Sequence, residues 1–414
     1  MIHWVTDNLG TAPMKGMVPE PGLEIIDVRD LIDKSGNAHS LIKKKIDEAV
    51  AFLKEGRRVV VCCDYGMSRS NAMAVGILAV LECLSFNDAV RKVIAETNSG
   101  AIKVEVLSAV RDAISTSTDV THQVIEEKRI LVTGGTGFLG SDLSDKLKAG
   151  RIPVFAPTRL ELDLMNGPAE LDLFVRERNI NVIAHLANPR IYVDNSAMGG
   201  TLVMLKNMLD VCVQNEIILI YPSGWEVYSG YRANGLLASE NLPLLPEGVY
   251  GETKYLCEQL LETFRQRHTL RCVLIRFSPI YGPRGDKPKF IFDFIDKAVH
   301  NKDIIAHRYL NGYPYLDLLN IDDATDVLMA IIDRGFVGTI NVGAGQGVST
   351  TEIAELIVQM TGSSSSILHR DIEKCAPNIV MDTKLAQTAL EWRARIGIRE
   401  GLQGLLDSKL SEYE

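Results

Sequence analysis

The sequence has no stretch of about 18 consecutive apolar residues, so a membrane-spanning helix is not expected. Its first residues, Met1-Ile2-His3-Trp4, lack the basic region and apolar core of a secretory signal. The seven cysteines, at 62, 63, 83, 212, 257, 272 and 375, show no metal-ligand spacing. An odd, dispersed set fits reduced thiols better than a disulfide framework. These absences predict a soluble cytoplasmic protein without a metal centre. An excess of basic residues is missing too: 44 Lys and Arg face 53 Asp and Glu, a net charge of −9. That balance argues against nucleic-acid binding, although a few local donors can still hold a phosphate. No short-period repeat or extended low-complexity segment is present, and Ser363–Ser366 is a polar loop.

The 414 residues exceed one usual domain, and at 46% hydrophobic and 23% charged either half can bury a core. Residues 23–28 read as a strand, 40–54 as an amphipathic helix and 58–62 as a buried strand. Helical patterns follow at 70–84, 86–96 and 103–114. The polar, Ser/Thr-rich stretch 115–129 reads as a linker, taken as 119–128 between domains at 1–118 and 129–414. From Arg129 strands (130–133, 153–156, 182–186, 217–222, 272–277) alternate with helices (138–149, 169–178, 201–214, 250–267). That alternation predicts an α/β fold with a parallel sheet covered on both faces.

Two motifs carry chemistry. The first is Cys63-Asp64-Tyr65-Gly66-Met67-Ser68-Arg69-Ser70, directly after Val59-Val60-Val61. A loop between strand and helix concentrates backbone N–H groups, which lowers a thiol's pKa and cradles phosphate oxygens. Arg69 would clamp two of those oxygens, Ser70 would donate to Cys63, and Gly66 would keep the turn clear of side chains. This pattern resembles the cysteine phosphatases with a Cys-x5-Arg-Ser loop, most nearly the dual-specificity group, over residues 1–118. The resemblance implies a small α/β phosphatase domain that hydrolyses a phosphomonoester through Cys63, with a general-acid aspartate on a loop some thirty residues earlier. Asp30 fits best; Asp27 and Asp33 are neighbours, and Asp64 lies inside the loop. Cys62 stands where the group usually has histidine, beside Cys63 and a candidate to modulate its oxidation. The alternative is a phosphate-binding regulatory domain without turnover.

The second motif is Thr133-Gly134-Gly135-Thr136-Gly137-Phe138-Leu139-Gly140, after a strand and opening a helix. Gly134 permits the turn, Gly137 lets a pyrophosphate approach, and Gly140 lets helix pack on strand. Tyr250 and Lys254 follow one helical turn apart, on one face. With Ile183-Ala-His-Leu-Ala187, Arg276, Tyr281-Gly-Pro-Arg284, Asp317–Asp323 and Asn341-Val-Gly343, this half resembles the extended short-chain dehydrogenase/reductases, in particular nucleotide-sugar epimerases, dehydratases and 4-reductases.

That resemblance implies a Rossmann doubly wound sheet with a small C-terminal substrate subdomain and a nicotinamide cofactor held by Gly134, Thr136, Gly137, Phe138, Leu139, Gly140, Asp163, Leu164, Leu186 and Ala187. Tyr250 would exchange a proton with a sugar hydroxyl, its pKa lowered by Lys254, and Arg276, Tyr281 and Arg284 would meet the nucleotide sugar. No carboxylate ends the second strand; Arg159 could pair with a 2′-phosphate, so the cofactor is NADP or NAD, with NADP favoured. His185, in a buried strand, reads as structural. Relatives place Ser or Thr four residues before the tyrosine of the Val-Tyr pair; here that position is Gly224, so either Ser223 beside it takes the role with a local shift or the site relies on Tyr250 alone. Glu226 stands where dehydratases carry an acid, but Trp225 replaces the acid before it, which favours an epimerase or reductase. Relatives of this half often dimerise through a four-helix contact. The leading expectation is a fused bifunctional enzyme; the rivals are a reductase with a regulatory N-terminal module and a cofactor-sensing scaffold.

Overall fold

The structure, a computed structural model, describes residues 2–410 except 19, 35, 83, 85, 98–101, 116–126, 190–193, 233–234, 269 and 286. The chain forms two compact units, Met1–Asp119 and Val120–Glu414. Most of the linker expected at 119–128 lies outside the described residues.

In the first unit, β1 (His3–Trp4), β2 (Leu9–Pro13), β3 (Leu23–Asp27) and β4 (Arg58–Cys63) form one sheet in the order β1-β2-β4-β3. β4 runs parallel to β2 and β3, with Val60 opposite Gly10 and Ile25. Both faces of β4 are covered, which is why its apolar residues run without polar alternation. Val59, Val61 and Cys63 enter the main core; Val60 and Cys62 join Ala12 on the other face. The main core is closed by α1 (His39–Lys54), α2 (Arg69–Leu81), α3 (Phe86–Thr97) and α4 (Val104–Ser115). α1 contributes Ile42, Ile46, Ala49, Val50 and Leu53, one stripe at helical spacing. α2 is buried through Arg69–Ala79, and a Cβ at Gly76 would press on Ile46 and Val110 at 2.7 Å. Strand β2 was not expected: Leu-Gly-Thr-Ala-Pro has little intrinsic strand preference, and pairing with β4 supplies what propensity does not.

The second unit is built on β5 (Ile130–Thr133), β6 (Val154–Phe155), β7 (Val182–His185), β8 (Ile218–Gly224), β9 (Leu236–Ala238), β10 (Cys272–Phe277) and a strand at Gly338–Val342. Six of these form a parallel sheet in the order β6-β5-β7-β8-β10-(Gly338–Val342); β9 pairs separately with Ile379–Met381. On one face Val132 and Ile220 pack with Leu143 of α5 (Phe138–Ala149) and Val327 of the helix Ile321–Arg334. On the other, Ile183 and Leu219 meet Leu171 of α6 (Pro168–Glu177), Leu205 of α7 (Asn195–Gln214) and Leu261 of α8 (Gly248–Arg267). Helix α7 starts before the expected Thr201 because Asp194 caps it, accepting from Ala197 N at 2.7 Å, while Gly199 and Gly200 weaken the sequence signal. A smaller core toward the C-terminus joins helices Lys289–Val299, Thr350–Thr361 and Ile398–Leu410. The chain leaves β5 for β6 on one side and returns to β7 on the other. A crevice at the carboxyl ends of β5 and β7 follows from that reversal. No described helix is long and apolar enough to cross a membrane, and among the described residues no cluster could hold a metal ion.

Candidate functional site

In the first unit the loop after β4 wraps around a sulfur. Cys63 is 2% exposed; its Sγ accepts from Gly66 N at 3.1 Å and lies 3.4 Å from Ser70 Oγ. Burial pushes the thiol up, but the Ser70 hydroxyl and the N–H groups of Ser70, Tyr65 and Met67 outweigh it, and the net shift is downward. Gly66 has φ +68°, and a Cβ there would collide with Pro13 and Ala12. Arg69 is nearly buried. Its Nη1 donates to the carbonyls of Arg29 (3.2 Å) and Leu31 (2.8 Å), its Nη2 pairs with Asp64, and its buried Nε makes no hydrogen bond.

Arg69 therefore anchors the backbone on both sides of Asp30, but each candidate acid is matched to a cation or donor. Asp30 pairs with Lys45 at 3.0 Å. Asp27 is gripped by Arg29, whose hydrogen bonds hold its carboxyl below the ordinary value against some burial. Asp33 is the aspartate brought against the loop: it accepts from Ser68 Oγ at 2.8 Å and stands 3.9 Å from Arg69 Nε. Cys62, expected as a modulator of Cys63 oxidation, is not placed for that role. The period of the strand turns the two side chains to opposite faces, and burial pushes the Cys62 thiol up to about 11.

In the second unit the glycine turn is as tight as its sequence requires. Gly134 has φ +70° and lies so close to β7 that a Cβ would be 2.7 Å from Ala187 N. A Cβ on Gly140 would collide with the Gly134 carbonyl. Gly137 precedes α5 with no side-chain cap on the first-turn N–H groups, and a Cβ there would meet only the Gly134 carbonyl, at 3.1 Å. Uncapped N–H groups beside open space form a cradle that fits a pyrophosphate. Leu139, Leu186 and Ala187 line the adjoining cavity of about 230 Å³, whereas Thr136 is exposed. Leu164 is buried in the core, its carbonyl accepting from Asn207 Nδ2 at 2.8 Å. Arg159 is exposed and pairs with Asp163 at 3.2 Å, and Asp163 also accepts from Met165 N.

Tyr250 and Lys254 open on the same cavity, with Ser223, Gly224, Glu226 and His185. Lys254 is buried; its Nζ donates to the Pro222 carbonyl at 2.8 Å and lies 5.6 Å from the centre of the Tyr250 ring. Burial pushes the ammonium's pKa down. The expected lowering of Tyr250 is not what this arrangement produces: burial, the Glu226 carboxylate and Cys257 all push the phenol upward. Glu226 itself is pushed up to about 7 by burial, with its own N–H and Lys254 opposing. His185 is buried, with Nδ1 2.8 Å from Thr133 Oγ1; burial and Lys254 depress it to about 3, so the ring is neutral.

Four expected residues are used differently. Ser223, the substitute for a hydroxyl at 224, donates instead to Glu258 Oε1 at 2.5 Å. It shares a strand face with Tyr221, toward α8, while Gly224 faces the other way. Arg276, expected at the substrate, is 7% exposed and committed to the protein: its Nη2 pairs with Glu258 at 2.8 Å and its Nη1 donates to Tyr228 Oη (2.7 Å) and the Glu240 carbonyl (2.8 Å). Tyr281 is fully buried in the C-terminal core with Ile291 and Leu402. Arg284 is exposed, at φ +65°, and pairs with Asp145 at 3.2 Å. Sequence reasoning missed the cavity position of Glu226 relative to Gly224: a Cβ at 224 would collide with Glu226 Oε2. The absent hydroxyl at 224, together with the acid at 226, was the signal that could have raised the question.

Residues 130–343, more than half of the chain, match the NAD dependent epimerase/dehydratase family. A putative UDP-glucose 4-epimerase of Methanocaldococcus jannaschii is 28% identical over 304 residues, covering 67% of this chain and 97% of its own. UDP-glucuronate 4-epimerase of Thermodesulfobacterium geofontis is 27% identical over 256 residues, 59% of this chain and 76% of its own. The crystal structure of UDP-glucose 4-epimerase from Thermotoga maritima with UDP-glucose has a TM-score of 0.62 at 20% identity, covering 69% of this chain and 100% of that one. The Thermus thermophilus UDP-glucose 4-epimerase complex with NAD has a TM-score of 0.60 at 22% identity, covering 68% and 98%. At these identities the structures share the fold. Glycine turn, Tyr-x-x-x-Lys pair and matched span agree, and the chain belongs to the NAD dependent epimerase/dehydratase family.

Proposed function

We propose that the second unit uses NAD to oxidise and re-reduce a carbinol carbon of a nucleotide sugar, with epimerisation as the outcome. The observation that carries this reading is the shared cavity: Tyr250 and Lys254 open on the space beside the glycine turn, where the strand order reverses. When bound, the cofactor would supply the hydride acceptor and donor for the carbinol carbon. Uncapped N–H groups of α5 would hold its pyrophosphate, and Lys254 would bind its nicotinamide ribose. Tyr250 holds or releases the proton of the sugar hydroxyl; its burial beside Glu226 favours the protonated phenol, the form that returns a proton to the oxygen. We take NAD rather than NADP, because a 2′-phosphate would have to displace the Asp163 carboxylate from Arg159. Incubation with NAD and UDP-glucose or UDP-glucuronate, followed by chromatographic separation of epimers, tests the reading. Absence of any epimer or keto product with a panel of nucleotide sugars would overturn it.

We propose further that the first unit captures a phosphomonoester in the Cys63 loop and transfers the phosphoryl group to the thiolate, the alkoxide or phenoxide leaving and water then releasing phosphate. The support is the set of donors on Cys63 Sγ and the buried Arg69. A specific observation favours slow turnover: Asp30 is paired with Lys45 and Asp33 with Ser68, so neither is arranged as a proton donor in this conformation. Hydrolysis of p-nitrophenyl phosphate, whose leaving group needs little protonation, is expected to exceed that of alkyl phosphates. D30N would leave the first rate nearly unchanged and slow the second if Asp30 is the acid. No release of p-nitrophenol by the wild type leaves the phosphate-binding regulatory domain as the reading.

A further inference from the structure

A sugar hydroxyl that becomes a carbonyl and then a hydroxyl again needs more than one hydrogen-bonding group, because its oxygen keeps lone pairs facing the protein throughout. Tyr250 supplies one. Several other polar side chains lining the cavity are already committed. Ser223 donates to Glu258, Lys254 to the Pro222 carbonyl, and His185 Nδ1 faces Thr133, while His185 Nε2 is buried without a hydrogen-bond partner. Asn188 Oδ1 lies at 3.5 Å from Thr201 Oγ1, near the entrance to α7.

Glu226 is placed differently. Position 224 has no side chain, and the Glu226 carboxyl occupies the space that a Cβ there would enter. From that space Glu226 Oε2 lines the cavity wall with Tyr250 and Lys254, and its charge is felt by both. A glycine at 224 and a glutamate at 226 are therefore one device: the first vacates the volume and the second fills it with an acid.

Resting on the proposed sugar chemistry, we propose that Glu226 is a catalytic residue that hydrogen-bonds the reacting oxygen of the sugar opposite Tyr250, from the space left open by Gly224. In its protonated form it donates to that oxygen while the carbonyl exists; Tyr250 handles the transferred proton, so Glu226 ends each cycle as it began. Its raised pKa, about 7, keeps the protonated form available at neutral pH.

The test is a cycle of variants in the full chain: E226A, G224S and G224S/E226A. E226A is expected to lower kcat about 100-fold while the KM for the nucleotide sugar and NAD affinity, read by protein fluorescence, stay within about threefold. G224S should be slow, because its Cβ displaces the Glu226 carboxyl from the space it occupies. In G224S/E226A no carboxyl has to be displaced and a hydroxyl stands in the vacated space, so kcat rises about tenfold above E226A. Wild-type kcat in E226A would overturn the proposal, as would a double variant that binds NAD normally but is no faster than E226A. Wild-type kcat in G224S would overturn it while leaving the sugar chemistry standing. No turnover of any nucleotide sugar by the wild type would overturn the reading on which it rests.

Discussion

The loops at 63–70 and 133–140 have the same local architecture: a buried parallel strand, a tight turn and the N-terminus of a helix. They differ in what fills the turn. Around Cys63 the N–H groups converge on a sulfur, and Arg69 adds a fixed cation. Around Gly137 the turn is stripped of side chains, and the uncapped N–H groups face open space. A helix N-terminus attracts a phosphate in either case. The proposed phosphatase reading turns on whether the Cys63 sulfur attacks such a phosphate or only lies beside it.

Several measurements would break or sharpen the comparison, the first expected to have the largest effect. C63S should abolish p-nitrophenyl phosphate hydrolysis while leaving NAD affinity unchanged; residual hydrolysis at the wild-type rate would remove the nucleophile from the first loop. Y250F should lower epimerisation by about 10²- to 10⁴-fold, the usual reach of a general acid–base group, without touching the phosphatase rate. R276M should lower the stability of the second unit by about 3–5 kcal/mol, since it strands Glu258 with only Ser223 as donor. Unaltered denaturant midpoint with weakened sugar binding would instead return Arg276 to the substrate. The smallest effect concerns Glu226. Its carboxyl titrates near 7 in the folded protein against an ordinary 4.5, so the folded state holds the proton more tightly than the unfolded chain. Wild type should therefore lose stability relative to E226Q as pH rises from about 4.5 through about 7, with no such trend below that window. Parallel melting curves for the two proteins across it would place the carboxyl in water.

The motifs legible in the sequence are those whose parts lie within one turn of one element. Cys63 and Arg69 are brought together by a single loop, and Tyr250 and Lys254 by a single helical turn. Gly134 and Gly140 were readable because backbone approach leaves glycine as the one residue that fits. What escaped depended on partners far along the chain. Ser223 turns toward Glu258, 35 positions away, and Arg276 finds Tyr228, 48 positions away. Asp30 was reasonable by spacing, yet Lys45 on α1 pairs with it. Strand β2 is a strand because β4 offers an edge, a fact no local window contains.

The sequence by itself determined that this protein has two strand–turn–helix loops, one carrying a cysteine and an arginine and one rich in glycine, because turn geometry and residue type are set locally. It also determined the alternating elements that build the parallel sheet of the second unit, since periodicity is a property of neighbouring residues. Only the tertiary structure decided which polar groups remain available for chemistry. Strand parity committed the Ser223 hydroxyl to Glu258, packing sealed Arg276 and Tyr281 in the interior, and an empty position at 224 admitted the carboxyl of Glu226. Availability depends on what else competes for each donor, and those competitors meet only when the chain has folded.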